Sequence, residues 1–473
     1  MSEAVSRYSR IVEQHLPDDP NDVVKAFAAN SAFRAAEWEE LTTEGDPYRR
    51  PVRPDDLAWL DYAKPMPVEK ALRLSALLGH RMLRNIYDAD LLYLPPADSD
   101  AARADRSAFY CDANRVLSAL AKPVLERHLF TLLDGQRPEP ARPELGTVIA
   151  AAQEYLGRRT ENPGAAFDAV SDTKGKKEAT TFLMVQLTAI LPAMHAATGR
   201  MALGEYGLAH PGLREILLNA YHRWEADSAY YTDLLAGAEL RPATAAYWQL
   251  YLSTSLARGN YLHYLATNRE HAFAFLGAFV QQQIDRATTA QRYTEVFTEG
   301  LGGSTRYFHG IGELTPESVR ELVTTLLRPL VDKFGDRVLR DFHRGFSDAV
   351  WLAELWDTDL ATQVGWADKI EEYQQHAVTV DRYLTDNNIT VDLDTFVESN
   401  EETSTTHVHD EHRLVMIEVG QMHFWNNVTH KIELNQGDKL LIPVSRLHGS
   451  TVLSGECTYH QPIIPDEMLR ELI

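Results

Sequence analysis

Apolar residues recur at helical spacing through most of the first 375 positions, then give way to short β-branched runs. Pro67 opens a strongly periodic segment carrying Leu72, Leu74, Leu77, Leu78, Met82 and Leu83, and proline is favourable in a first helical turn. The same periodicity predicts helices near 107–134, 176–200, 211–236, 243–267, 270–299, 316–334 and 337–356. Many of these exceed an average helix in length, as expected of a bundle. The Pro- and Arg-rich stretch Gln136-Arg-Pro-Glu-Pro-Ala-Arg-Pro143 reads as a linker. Gly300, Gly302 and Gly303 mark a loop between helices, because the strand that a phosphate-binding loop requires does not precede them. Around 376–400 the composition shifts to Val, Ile, Thr, Asp and Asn, and the pattern changes with it.

From there the chain reads as short strands between tight turns. Arg413 to Val419 is apolar and β-branched, Gly420 punctuates it, and Met422, Phe424 and Trp425 follow. Asn426-Asn427 and Gln436-Gly437-Asp438 are turn signals, with Ile432, Leu434 and Leu440-Leu-Ile442 on the strands between and after them. Such spacing suits a small β-barrel. The predicted class is therefore multidomain α + β, an all-α helical bundle followed by a C-terminal barrel, divided at 1–135, 136–375 and 376–473.

Composition narrows the function classes. A chain of 473 residues with 44% hydrophobic content holds two to four packed domains. A net charge of −22 disfavours nucleic acid, which requires a basic surface. The two cysteines, Cys111 and Cys457, fall in different domains and do not indicate a disulfide framework. The first thirty residues lack the apolar core of a signal peptide, and no stretch nears 18 consecutive apolar residues. A cytoplasmic protein with no membrane partner is the default expectation.

The chemistry concentrates in three histidines. His407 and His409 stand one residue apart in Thr406-His-Val-His-Asp410, so on a strand both point to one face. His448, from a neighbouring strand, would complete a facial triad. Imidazole suits Fe, Zn, Ni and Cu, and three protein nitrogens leave positions open for water, O2 or substrate, which marks a catalytic site. With 18 histidines, about one His-x-His pair arises by chance, so the strand context carries the argument. Arg413, His423, Trp425 and His460 are candidates to line the barrel, although His423 and His460 equally suit its outer surface. His222 and Glu225 stand at i and i+3 on one helix, and His263, His271 and His343 lie in others. Such a pair more often hydrogen-bonds than ligates.

The β segment resembles a cupin. Its first motif, His-x-His in a strand ending on glycine, matches His407, His409 and Gly420; its second matches Gly437, Pro443 and His448. Many cupins place a glutamate ligand four residues after the second histidine, where this chain has Arg413, and Glu411 is out of register. The whole chain resembles the SznF-like N-nitrosourea-forming enzymes. The likeness runs through Asp46-Pro-Tyr-Arg-Arg50, Leu60-Asp-Tyr62, Ala108-Phe-Tyr110, Tyr247-Trp-Gln-Leu-Tyr251, Gly259-Asn-Tyr-Leu-His-Tyr-Leu265 and Arg446-Leu-His-Gly449. It implies an N-terminal helical dimerisation region over 1–135, a heme-oxygenase-like helical domain over 136–375, a cupin over 376–473, and a homodimer. The family's cupin iron ligands fall on His407, His409 and His448. Its diiron ligands fall on Ala193 or Met194, Ala220, Tyr230, Gln283, Ile311, Thr315 and Ser318, none of which keeps the family's side chain. Two irons need carboxylates to bridge and neutralise them, so the resemblance implies a helical scaffold that has lost its metals. Trp224, Tyr230 and Tyr231 would fill the old pocket.

The implied function is a mononuclear non-heme Fe(II) cupin oxygenase, with one Fe(II) per chain and O2 as cosubstrate. It would rearrange an arginine-derived N-hydroxyguanidine with N–N bond formation in natural-product biosynthesis, after a separate N-hydroxylating enzyme. Two other classes stand beside it: a cupin of other chemistry with Fe, Zn or Ni, and a non-catalytic partner of an active paralogue.

Overall fold

The computed structural model describes residues 19–29, 52, 54–89, 112–134, 143–206, 209–240, 247, 249–302, 312–399, 404, 406–426 and 431–473. Asp46–Arg50, Ala108–Tyr110, Cys111, the linker over 136–142, Trp248, Gly303, Ile311 and Asn427 lie outside them. The helices are α1 (Pro20–Ala28), α2 (Leu74–Ala89), α3 (Asp112–Phe130), α4 (Leu145–Glu161), α5 (Ala165–Asp172), α6 (Lys176–Ala202), α7 (Leu213–Gly237), α8 (Ser253–Thr267), α9 (Ala272–Leu301), α10 (Pro316–Phe334), α11 (Arg337–Asp368), α12 (Ile370–Asp386) and α13 (Asp466–Leu472). The strands are β1 (Thr395–Ser399), β2 (His412–Val419), β3 (Gln421–Trp425), β4 (Lys431–Asn435), β5 (Lys439–Ile442), β6 (Gly449–Val452), β7 (Glu456–His460) and β8 (Ile463–Ile464). A helical region followed by a C-terminal antiparallel β region is the class the pattern predicted.

Several expected boundaries move: the helix expected over 243–267 begins at Ser253, and that expected over 337–356 runs on to Asp368. The segment after Pro67 forms a 3-10 turn, Val68–Lys70, and the α-helix begins only at Leu74. The compositional shift at 376 falls inside α12, whose Ala377, Val380 and Leu384 form a buried stripe. That stripe is amphipathic, so its polar face reads as a change of composition although the helix continues.

The chain gathers into two compact units, one from 1–132, 245–253 and 365–473, the other from 133–244 and 254–364. In the first, five strands pair in the order β1-β7-β2-β5 with β8 on β2, and three pair as β4-β3-β6. Period-2 alternation divides β2 and β5 between two cores. Val415, Ile417, Leu440 and Ile442 meet Met422, Phe424, Ile432, Leu434 and Val452 of the smaller sheet. Leu414 and Leu441 face the other way, onto Ala377, Val380 and Leu384 of α12. The chain passes from one sheet to the other at Gly420, at φ +88°, where a Cβ would lie 2.2 Å from the Glu456 carbonyl oxygen. Only glycine meets both conditions. Cys457 is a buried free thiol in the inner core.

In the helical unit, α6 is apolar and long enough to cross a membrane by length and composition, yet 72% of its most apolar window is buried against the other helices. That is the arrangement of a core helix. A polar knot ties the bundle: Asp285 of α9 accepts from Tyr155 Oη (2.5 Å), Arg159 Nε (3.1 Å) and Arg258 Nη2 (2.9 Å). Burial alone would raise the Asp285 pKa, but the two guanidinium groups hold it below its ordinary value.

Helices α9 and α11 touch through glycine. A Cβ on Gly277 would lie 2.0 Å from the Phe342 carbonyl oxygen, and one on Gly345 would lie 1.9 Å from that of Ala274. Backbone cannot move aside as a side-chain tip can. Gly277→Ala should therefore cost about 2 kcal/mol or more and lower the thermal midpoint by roughly 5 °C, measured by circular dichroism. A midpoint within a degree of the parent would show that the crossing is looser than described.

Candidate metal centre

His407 and His448 meet as an isolated antiparallel bridge, each backbone N–H donating to the other's carbonyl at 2.9 and 3.1 Å. Directly opposed residues in such a pair project to one face, and His409, two positions on, projects there as well. The Ser445 N–H donates to the His409 carbonyl at 3.0 Å and fixes the far end of the segment. The ring centroids stand 4.7, 4.6 and 5.0 Å apart, and one nitrogen from each ring lies within 4.8 Å of the others. The three histidines of the sequence motif thus converge. Among the described residues, no other cluster of histidine, cysteine and carboxylate is arranged to hold a metal ion.

The protonation pattern suits ligation. His448 Nδ1 lies 2.8 Å from the Arg446 carbonyl, which can only accept, so Nδ1 carries the proton and Nε2 keeps its lone pair. Nε2 of His448 and Nε2 of His409 are both buried without a hydrogen-bond partner. Burial, then the neighbouring His407, lowers the His448 pKa to about 3, and burial with His407 and His448 beside it puts His409 well below the ordinary value. Both rings are therefore neutral at physiological pH. Buried orphan nitrogens that face one another on neutral rings are costly unless something binds them, and a divalent cation satisfies all of them at once.

The surroundings are apolar below and charged beside the triad. The Phe424 ring stacks on His448 at 5.7 Å, and the Trp366 ring meets it edge-on at 6.5 Å. Trp366 is fully buried, and its indole nitrogen has no hydrogen-bond partner. It enters from the end of α11, and no local motif in the sequence announces it. Arg413, in the register of the missing glutamate, is engaged elsewhere: Nη1 donates to Asp394 Oδ2 (2.8 Å) and the Gln461 carbonyl (3.0 Å), and Glu411 lies 3.7 Å from Nη2. Neither Glu411 nor any other described carboxylate joins the triad.

The remaining candidates separate cleanly. His423 alternates outward from Met422 and Phe424 and faces Glu433 at 3.9 Å, while His460 bonds Thr395 at 2.8 Å and faces Glu418 at 3.3 Å. Both belong to outer faces of the sheets. Trp425 is buried against Gly449 and donates to Thr451 Oγ1 at 3.2 Å. In the helical unit, His222 and Glu225 form an exposed pair 3.6 Å apart. Ala193, Met194 and Ala220 are buried, and Trp224 and Tyr231 pack inside, the latter donating to the Met184 carbonyl at 2.6 Å. Tyr230 does not fill a pocket as expected: consecutive residues of a helix point about 100° apart, and with Tyr231 turned inward Tyr230 is 43% exposed. Thr315 and Ser318 cap each other's backbone at the start of α10.

Gly449 follows a proposed ligand and pairs with Trp425 in register. A Cβ there would lie 2.6 Å from Trp425 Cζ2. Gly449→Ala should displace the indole or the backbone of His448 and reduce metal affinity about tenfold, as loss of supporting groups around a metal does. Titration with Co(II) measures this, with far-ultraviolet circular dichroism unchanged.

No protein-family model matches the chain. It is 28% identical over 449 residues, covering 93% of this chain and 94% of the other, to the nitrosourea synthase of Streptomyces achromogenes subsp. streptozoticus. Sharing that span with it, the chain is a relative of nitrosourea synthase.

Proposed function

We propose that the protein is a mononuclear Fe(II)- and O2-dependent oxygenase that forms an N-nitroso product from an arginine-derived N-hydroxyguanidine. The observation that carries this reading is the convergence of three imidazoles, two of which, His409 and His448, are neutral and present buried Nε2 atoms without partners, in a relative of nitrosourea synthase. His407, His409 and His448 would hold the iron on one face. Bound Fe(II) would supply open positions for O2 and for the N-hydroxyguanidine, and the electron transfer that drives C–N cleavage and N–N bond formation.

The protein's own part is orientation and exclusion. The Arg446 carbonyl holds the His448 ring in one tautomer. Phe424 and Trp366 keep water from one side of the triad. Arg413, tied to Asp394, leaves the set without an anionic protein ligand, so an anionic substrate group could approach the metal.

The same reading assigns 1–135 to a dimerising helical region, 136–375 to a heme-oxygenase-like domain and 376–473 to a cupin, in a cytoplasmic homodimer. Ala193, Met194, Ala220, Gln283 and the capping pair Thr315 and Ser318 offer no carboxylate or imidazole, which supports a helical domain without its diiron site. N-hydroxylation would then come from a separate enzyme.

The test is iron content per chain after anaerobic loading, in the parent and in His407→Ala, followed by O2 uptake with an N-hydroxyguanidine derivative of arginine. One iron per chain, lost in the variant, with uptake that depends on the N-hydroxyguanidine, is the expected result. Three irons, two surviving the substitution, would mean a living helical site. Metal without turnover would favour a binding partner over an enzyme.

A further inference from the structure

The segment that carries two of the three proposed ligands has little sheet to hold it. Outside its single bridge to His448, 406–411 joins no strand ladder. Besides the bond from the Ser445 N–H to the His409 carbonyl, its two ends are fastened to α2 and the residue before it. At the upstream end the guanidinium of Arg81, only 1% exposed, donates from Nη1 to the Thr406 carbonyl at 2.8 Å and from Nη2 to the Gln249 carbonyl at 2.9 Å. The Thr406 N–H donates to Gln249 Oε1 at 3.0 Å, and its hydroxyl donates to the Gln249 carbonyl. At the downstream end Arg73 donates to the Asp410 carbonyl, and Asp410 Oδ1 accepts from the N–H of Leu74, the first residue of α2, at 3.2 Å.

The spans agree. From Arg73 to Arg81 is about 12 Å along a helix at 1.5 Å per residue. From Thr406 to Asp410 is at most about 13 Å at 3.3 Å per extended residue. A rigid rod thus runs antiparallel to the ligand segment and grips it at both ends, with His407 and His409 between the grips. Charge-assisted bonds from a buried guanidinium to these carbonyls are short and directional, and they fix where the carbonyls lie.

We propose that α2 is a splint for the metal centre, and that Arg81, Arg73 and Gln249 are positioning residues for His407 and His409. This rests on the reading of the triad as a metal site. A purely structural role would lower the stability of the variants and leave the coordination of the folded protein unchanged. A positioning role changes the ligand geometry itself.

The experiment uses the full chain loaded with Co(II), whose visible absorption reports ligand number and symmetry, in the parent, Arg81→Met, Arg81→Lys and Arg73→Ala, well below each thermal midpoint. The expected result is a shifted Co(II) spectrum and a tenfold or greater loss of affinity in Arg81→Met, several-fold in Arg73→Ala, with partial recovery in Arg81→Lys. Folded variants with the parental spectrum and affinity would overturn the splint, however much their midpoints fall. If Arg81→Met does not fold, the half-buried Arg73→Ala decides alone by the same two readouts. A parent that binds no Co(II) at all would overturn the metal reading beneath it, an outcome distinct from the first.

Discussion

The mutual pair of backbone hydrogen bonds between His407 and His448 is the constraint on which the candidate metal centre depends. It joins two loops 41 positions apart and, by the geometry of an antiparallel pair, sets their side chains on one face. His409 follows by alternation without any further device. The side chains then need only the correct tautomer, which the Arg446 carbonyl imposes on His448. Backbone bonds alone thus bring three residues of ordinary flexibility into an arrangement that could hold a metal ion.

Everything around that pair serves to keep it still. The inner core of the two sheets closes beneath it with Phe424 and Trp366, and α12 closes the outer face of the larger sheet. The glycine at position 420 lets the chain turn from one sheet into the other where a side chain would collide with the Glu456 backbone. The helical unit is organised differently. Its tightest points are a glycine contact between α9 and α11 and the ion pairs on Asp285, so shape and buried charge hold it.

Much of this was legible in the sequence because the signals were local. Helical periodicity found α6, α7, α9 and α10 within two residues of their ends, and the His-x-His spacing with His448 picked out the three histidines that converge. What escaped was non-local. Trp366 reaches His448 from a helix some eighty residues upstream of it, and Arg81 acts on a segment more than three hundred residues downstream. Neither leaves a pattern, since a single buried tryptophan or arginine looks like any core or surface residue until the fold supplies its neighbour. The compositional shift inside α12 has another reason: an amphipathic helix against a sheet carries enough polar residues to resemble a linker.

The order in which the parts leave the ribosome adds a consequence. Arg81 is made 367 residues before His448, so at about 5–20 residues per second the helix that grips the ligand segment exists for roughly 20–70 s before the last ligand does. The whole of the helical unit is synthesised in that interval and can complete its own core. A metal that needs all three histidines therefore meets a complete site only after α2 and the helical unit have been made.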